Sequence, residues 1–103
     1  MINIPDILEI KVELFGTPRL LTGRKVVELR LPCRVAWETL IEALADACPQ
    51  LVGPTLREDR SGLQEGFVFN HNGLAFLSDA DSFDELELQP GDSLLLLSSQ
   101  AGG

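Results

Sequence analysis

The chain has 103 residues, 45% of them hydrophobic and 23% charged, with a formal net charge of -8. These values describe one ordinary globular domain with enough apolar residues for a core that needs no disulfide or metal. The acidic balance argues against nucleic acid and anionic membrane as partners, since both require a basic surface, and leaves a basic protein partner open. No basic start followed by an apolar stretch marks a secretory signal, no run could cross a bilayer, and the expected setting is cytoplasmic with reduced thiols.

Residues 1–7 read as a short extension interrupted by Pro5. From Leu8 to about Phe15 the chain alternates: Leu8, Ile10, Val12 and Leu14 on one face, Glu9, Lys11 and Glu13 on the other, the period of a half-buried strand. Gly16-Thr17-Pro18 breaks it, and residues 19–24 read as a loop. A second strand over about 25–31 places Val27, Leu29 and Leu31 opposite Glu28 and Arg30, completing an antiparallel hairpin stopped by Pro32. One helical period follows over 35–47. Trp37, Leu40, Ile41, Leu44 and Ala45 share a face, Glu38, Glu42 and Asp46 take the other, and Pro49 ends the run.

Residues 50–65, with Gly53-Pro54, mixed charges and Gly62, read as a surface loop with one helical turn near 54–57. Two short strands, about 66–69 and 74–77, flank Asn70-His71-Asn72-Gly73, where Asn-Gly is a strong hairpin signal because the tight turn needs positive φ. The acidic stretch 78–87 offers Phe83, Leu86 and Leu88 to the edge of the core. Gln89-Pro90-Gly91-Asp92 fits a type II turn, and 93–97, with four consecutive leucines, reads as a buried strand. Strand, strand, helix, strand, strand, strand predicts an α+β fold of the β-grasp, or ubiquitin-like, kind. About five strands form a mixed sheet with one main helix on one face, over 8–97, and the last strand lies centrally and parallel to the first.

Beyond that strand, Ser98 to Gly103 carries no charge and no large apolar side chain, so it reads as a flexible tail. Six extended residues reach about 20 Å. Gly102 and Gly103 lack a Cβ and would pass a channel too narrow for other residues, delivering the α-carboxylate of Gly103. An isolated Gly-Gly is ordinarily a frayed end, and only the rest of the chain gives this one weight.

Other candidates are weaker. His71 reads as an exposed loop histidine without a nucleophile or orienting partner. The acids Asp79, Asp81, Asp84 and Glu85 lack the calcium-loop pattern and read as a solvated turn. Cys33 and Cys48 have neither zinc-site nor redox-pair spacing and read as packing or surface thiols. Trp37 belongs to the apolar stripe of the helix. Leu95, Leu97 and Phe76 are candidates for the sheet face away from the helix, either as a docking patch or beneath the extension or the long loop.

Leu14-Phe15-Gly16, the helix after Leu31-Pro32, and above all Leu88-Gln89-Pro90-Gly91-Asp92 with the ending Ala101-Gly102-Gly103 resemble the MoaD/ThiS sulfur carriers over roughly residues 8–103. The resemblance implies a carrier and not an enzyme, or at most the small subunit of a sulfur-transferring synthase. A MoeB/ThiF-like adenylyltransferase would use ATP to activate the carboxylate of Gly103, a sulfur donor would convert it to a thiocarboxylate, and an acceptor would take the sulfur. That acceptor would be a MoaE-like synthase subunit or another biosynthetic enzyme, the molybdopterin type being favoured. Gly102, Ala101 and Gln100 would line the approach, Leu95, Leu97 and Phe76 would dock the partner, and no metal or bound cofactor is implied. Two alternatives stand beside it: a ubiquitin-like modifier joined to lysines through Gly103, and an interaction domain with an idle tail.

Overall fold

A computed structural model describes residues 7–32, 35–84 and 88–98. Gly102, Gly103, Cys33, Leu86 and most of the proposed tail therefore lie outside the described residues. The elements in order are β1 (Ile7–Leu14), α1 (Thr17–Thr22), β2 (Val26–Pro32), α2 (Trp37–Ala47), a 3-10 turn (Pro49–Leu51), β3 (Phe67–His71), β4 (Ala75–Leu77), α3 (Ala80–Asp84) and β5 (Ser93–Ser98). The sheet order is β2-β1-β5-β3-β4. β5 pairs parallel with β1, Val12 opposite Leu94 and Leu14 opposite Leu96, and antiparallel with β3. This is the expected β-grasp arrangement, with the last strand central.

Alternation decides which face is buried. In β1, Leu8, Ile10, Val12 and Leu14 are buried and their neighbours exposed; β2 repeats this with Val27, Leu29 and Leu31. α2 covers that face with Trp37, Leu40, Ile41, Leu44 and Ala45, and Cys48 follows them into the core. Trp37 packs edge-on against Phe69, ring centroids 5.9 Å apart, and tilted against Phe83 at 5.8 Å, so it is a core residue. The helix begins two residues later than its periodicity predicts, behind Ala36, and no side chain caps it. Pro49 opens the 3-10 turn that follows the helix.

The structure corrects the sequence reading in three places. Residues 19–24 are not a simple loop: α1 forms there, with Pro18 in its first turn and Gly23 closing it in the left-handed region at φ 71°. Residues 50–65 are not a surface loop, because Leu51, Leu56 and Leu63 are buried in the core. The helical turn lies at 49–51, and the segment folds back through Val52–Leu56 and Leu56–Leu63 bridges. Gln64 Nε2 donates to the Gly53 carbonyl (2.8 Å), Arg57 Nε to that of Leu63 (3.0 Å), and Arg60 reaches Asp46 on α2 at 2.9 Å. Apolar spacing of five and seven residues has neither helical nor strand period, so periodicity does not reveal it. Third, His71 ends β3 and does not sit in the loop; the turn is His71-Asn72-Gly73-Leu74, with φ 52° at Asn72 and 76° at Gly73.

Because Leu56 is fully buried, Leu56→Ala should destabilise the domain by about 2–5 kcal/mol in urea unfolding. A change below about 0.5 kcal/mol, the range of ordinary surface substitutions, would return this segment to the status of a surface loop.

Candidate functional site

The candidate site is the outer face of the sheet, opposite α2, together with the strand that runs toward the C-terminus. Cross-strand partners share a face, so register assembles it. Leu95 lies opposite Asn70, which lies opposite Phe76; Leu97 lies opposite Val68. On the other side Leu95 faces Glu13, and Phe15 continues β1 beside the end of β5, its N–H bonded to the Leu96 carbonyl at 3.1 Å. Phe76 is 67% exposed and Phe15 62%, while Leu95, Leu97 and Val68 are half-buried. The three sheet residues named from sequence therefore share one outer face. The structure adds Phe15 and Val68, whose proximity depends on strand order and has no local sequence signal. α1 lies against β5 and presents Leu20 to solvent.

Two turns hold β5 in line. Gln89-Pro90-Gly91-Asp92 is closed by Asp92 N–H to the Gln89 carbonyl (3.0 Å), with Gly91 at φ 85°, as a type II turn requires. The Gly91 N–H bonds the Glu9 carbonyl at 3.0 Å, and the Lys11 N–H bonds that of Asp92 at 3.2 Å, so the turn is stitched to β1. On its other side the Asp92 carboxylate accepts hydrogen bonds from the Gln89 N–H (2.9 Å), His71 Nε2 (2.9 Å) and Asn72 Nδ2 (3.3 Å). Asn72 Oδ1 in turn accepts the Ser93 N–H at 3.0 Å. His71 is thus no free loop histidine: its side chain is 16% exposed, and its Nε2 lies 2.9 Å from the Asp92 carboxylate. The cluster clips the β3–β4 hairpin to the start of β5.

Burial raises the carboxyl pKa of Asp92, but the hydrogen bonds from Gln89, His71 and Asn72 outweigh it and hold the group below the ordinary carboxylate value. The thiol of Cys48 is pushed up by burial despite the Arg24 guanidinium 3.9 Å from its sulfur. A raised thiol pKa suits a packing residue and not a sulfur-relaying thiolate. Asp79, Asp81 and Asp84 flank or occupy α3, and among the described residues no three His, Cys, Asp or Glu side chains gather as metal ligands. Gln100, Ala101, Gly102 and Gly103 fall outside the described residues; β5 brings the chain to Ser98, five positions before Gly103. Among the described residues no helix is long and apolar enough to cross a membrane.

No family model matches the chain and no curated protein matches it. Solved structures do. SAMP1 from Haloferax volcanii superposes with a TM-score of 0.70 at 23% identity, covering 92% of this chain and 99% of that one. The small archaeal modifier protein 1 from Methanosarcina acetivorans gives 0.65 at 22% identity, covering 94% and 98%. A candidate molybdopterin converting factor, subunit 1, from Pyrococcus furiosus gives 0.59 at 25% identity, covering 88% and 97%. The chain has a MoaD/ThiS-like, ubiquitin-like β-grasp fold.

The clip around Asp92 has a pH signature. With its folded pKa below the unfolded value, Asp92 contributes stability that is complete above about pH 5. That contribution is lost as pH falls through about 3.9 toward the folded value. Asp92→Ala should lower stability at neutral pH by about 1–3 kcal/mol and flatten this acid limb. Urea unfolding across pH checks both, and an unchanged acid limb would remove Asp92 from the account.

Proposed function

We propose that the protein is a sulfur carrier whose reactive group is the carboxylate of Gly103. The central position of β5, with Leu95 and Leu97 half-buried on its outward face and Ser99–Gly103 following it in the chain, carries this reading. A carboxylate is a poor electrophile until one oxygen becomes a good leaving group. A MoeB/ThiF-like partner would let it attack the α-phosphorus of ATP, releasing pyrophosphate and leaving an acyl-adenylate. A sulfur nucleophile then displaces AMP at the acyl carbon, and the thiocarboxylate serves a MoaE-like or other biosynthetic acceptor, the molybdopterin type being favoured.

The chain's own residues supply docking and reach. Five residues beyond Ser98 span at most about 17 Å. Gln100, Ala101 and Gly102 would line the entry to the partner's active centre, Gly102 without a side chain to obstruct it. The exposed Phe15 and Phe76 with the half-buried Leu95, Leu97 and Val68 would form the apolar contact around Asn70, since apolar surface rimmed by polar residues marks an interaction site. Charge stabilisation of the adenylate belongs to the partner, so the carrier itself is not an enzyme. The net charge of -8 favours a partner with a basic rim around the apolar contact.

A second reading, ubiquitin-like modification of lysines through Gly103, draws on the two similar archaeal proteins that are named as modifiers. Both readings share the adenylation step and separate by product. Incubation with an adenylyltransferase of this kind, ATP and sulfide should give the intact chain the mass gain of one oxygen-to-sulfur exchange. Conjugates resistant to reducing agent would instead indicate the modifier. Deleting Gly102 and Gly103 should abolish either product, and Leu95→Glu or Phe76→Glu should weaken the partner by at least about tenfold without unfolding the domain. Full activity of the truncated chain would leave only the interaction-domain reading.

A further inference from the structure

The charged half of the sheet suggests a different interface. β2 is an edge strand of seven residues, whereas the opposite edge, β4, has three. The Leu14 N–H donates to the Lys25 carbonyl at 2.7 Å, which makes 14 and 25 a hydrogen-bonded pair. Along an antiparallel ladder such pairs alternate, so the main chains of Val27, Leu29 and Leu31 face β1, and those of Val26, Glu28 and Arg30 face away from the sheet. An outward row of this kind is a template for another strand.

The side chains choose the strand. The geometry points to antiparallel pairing of β2 with β2 of a second copy, about a two-fold axis at Leu29. In that register Glu28 stands opposite Arg30 of the second copy, and Arg30 opposite its Glu28. A shift of one residue either way along each strand would bring Glu28 against Glu28 or Arg30 against Arg30. Like charges directly opposite destabilise a sheet, so only the register centred on Leu29 satisfies both positions.

The neighbouring strand extends the pattern. Glu9 lies opposite Arg30, their side chains paired at 3.5 Å, and Lys11 lies opposite Glu28. Among the described residues Glu28 makes no ion pair. Across the joined sheet one outer row would read Glu9, Arg30, Glu28 and Lys11, the last two from the second copy, and its mirror row would repeat it: charge alternates at every step. At each end of the ladder Pro32, which already faces the exposed Ile7, would meet the exposed Val26 of the other copy. Pro32 has no N–H to give, so the ladder closes there with about six main-chain bonds.

The axis stands perpendicular to the sheet, so both outer faces point the same way. Five strand spacings, about 24 Å, would separate the two β5 strands, and the apolar patches stay uncovered. The pairing does not depend on the chemistry proposed for Gly103.

Sedimentation equilibrium of the full chain, at about 0.15 M salt so that charges farther apart than about 8 Å are screened, tests this. A concentration-dependent monomer–dimer equilibrium is expected. Glu28→Arg and Arg30→Glu should each raise the dimer Kd by at least about tenfold, since each places like charges opposite one another at two symmetric positions. The double variant E28R/R30E should bind more tightly than either single variant, because the charges across the two copies are again complementary, although Glu9 and Lys11 within each copy then face like charges. Circular dichroism confirms that all three variants are folded. A wild-type monomer at about 1 mM, the scale of the weakest measurable complexes, would overturn the proposal. So would an assembly indifferent to both single reversals, or a double variant that dimerises no more tightly than either single one.

Discussion

The parallel pairing of β1 and β5 is the contact on which the architecture depends. It joins Lys11 to Ser93 and Leu14 to Leu96, so nearly the whole described chain is closed into one loop. That closure costs entropy before it returns anything. The cost is offset because the two strands bury Val12, Leu14, Leu94 and Leu96 beneath α2, between β2 on one side and β3 on the other. An edge position would give β5 one neighbour. The centre gives it two.

The same placement divides the outer face. On the β2–β1 half, Glu9 faces Arg30 and Lys11 faces Glu28, while at the strand ends Glu13 faces Val26 and Ile7 faces Pro32. On the β5–β3–β4 half, Leu95, Leu97, Val68 and Phe76 replace the charges. One sheet thus presents a polar region suited to paired strands and an apolar region suited to desolvated docking. Burying a charge is costly without a partner, whereas burying leucine or phenylalanine is favourable by itself, so the two halves call for different partners.

The cluster around Asp92 shows how a short motif acquires its meaning. Pro90 and Gly91 specify a turn by their own backbone preferences. Asp92 is specified by something else: a carboxylate at that position can gather the Gln89 N–H, His71 and Asn72, which come from the turn itself and from a hairpin some twenty residues away. The result is a polar tie at the end of the sheet that holds β3 and β5 in register where the hydrophobic core no longer reaches.

Local chemistry made several elements readable. Strict alternation identified β1 and β2, helical period identified α2 and its buried face, and the turns were marked by Asn72-Gly73 and Gly91, which tolerate positive φ, and by Pro90, whose ring fixes φ for the second turn position. These signals are legible because each depends on residues within a few positions of one another. α1 carried the corresponding marks, Pro18 inside its start and Gly23 past its end, but six residues are too few to show a period. Leu51, Leu56 and Leu63 enter the core from an irregular segment, His71 finds Asp92, and Phe15 and Val68 join Leu95 and Leu97, only because strands distant in sequence become neighbours. The sequence by itself determined the order of elements, the buried face of each strand and the β-grasp class, since side-chain period and turn preference are properties of the local chain. Tertiary structure alone decided which outward residues form a common surface and which polar groups meet, because register across a sheet is set by the packing of the whole core.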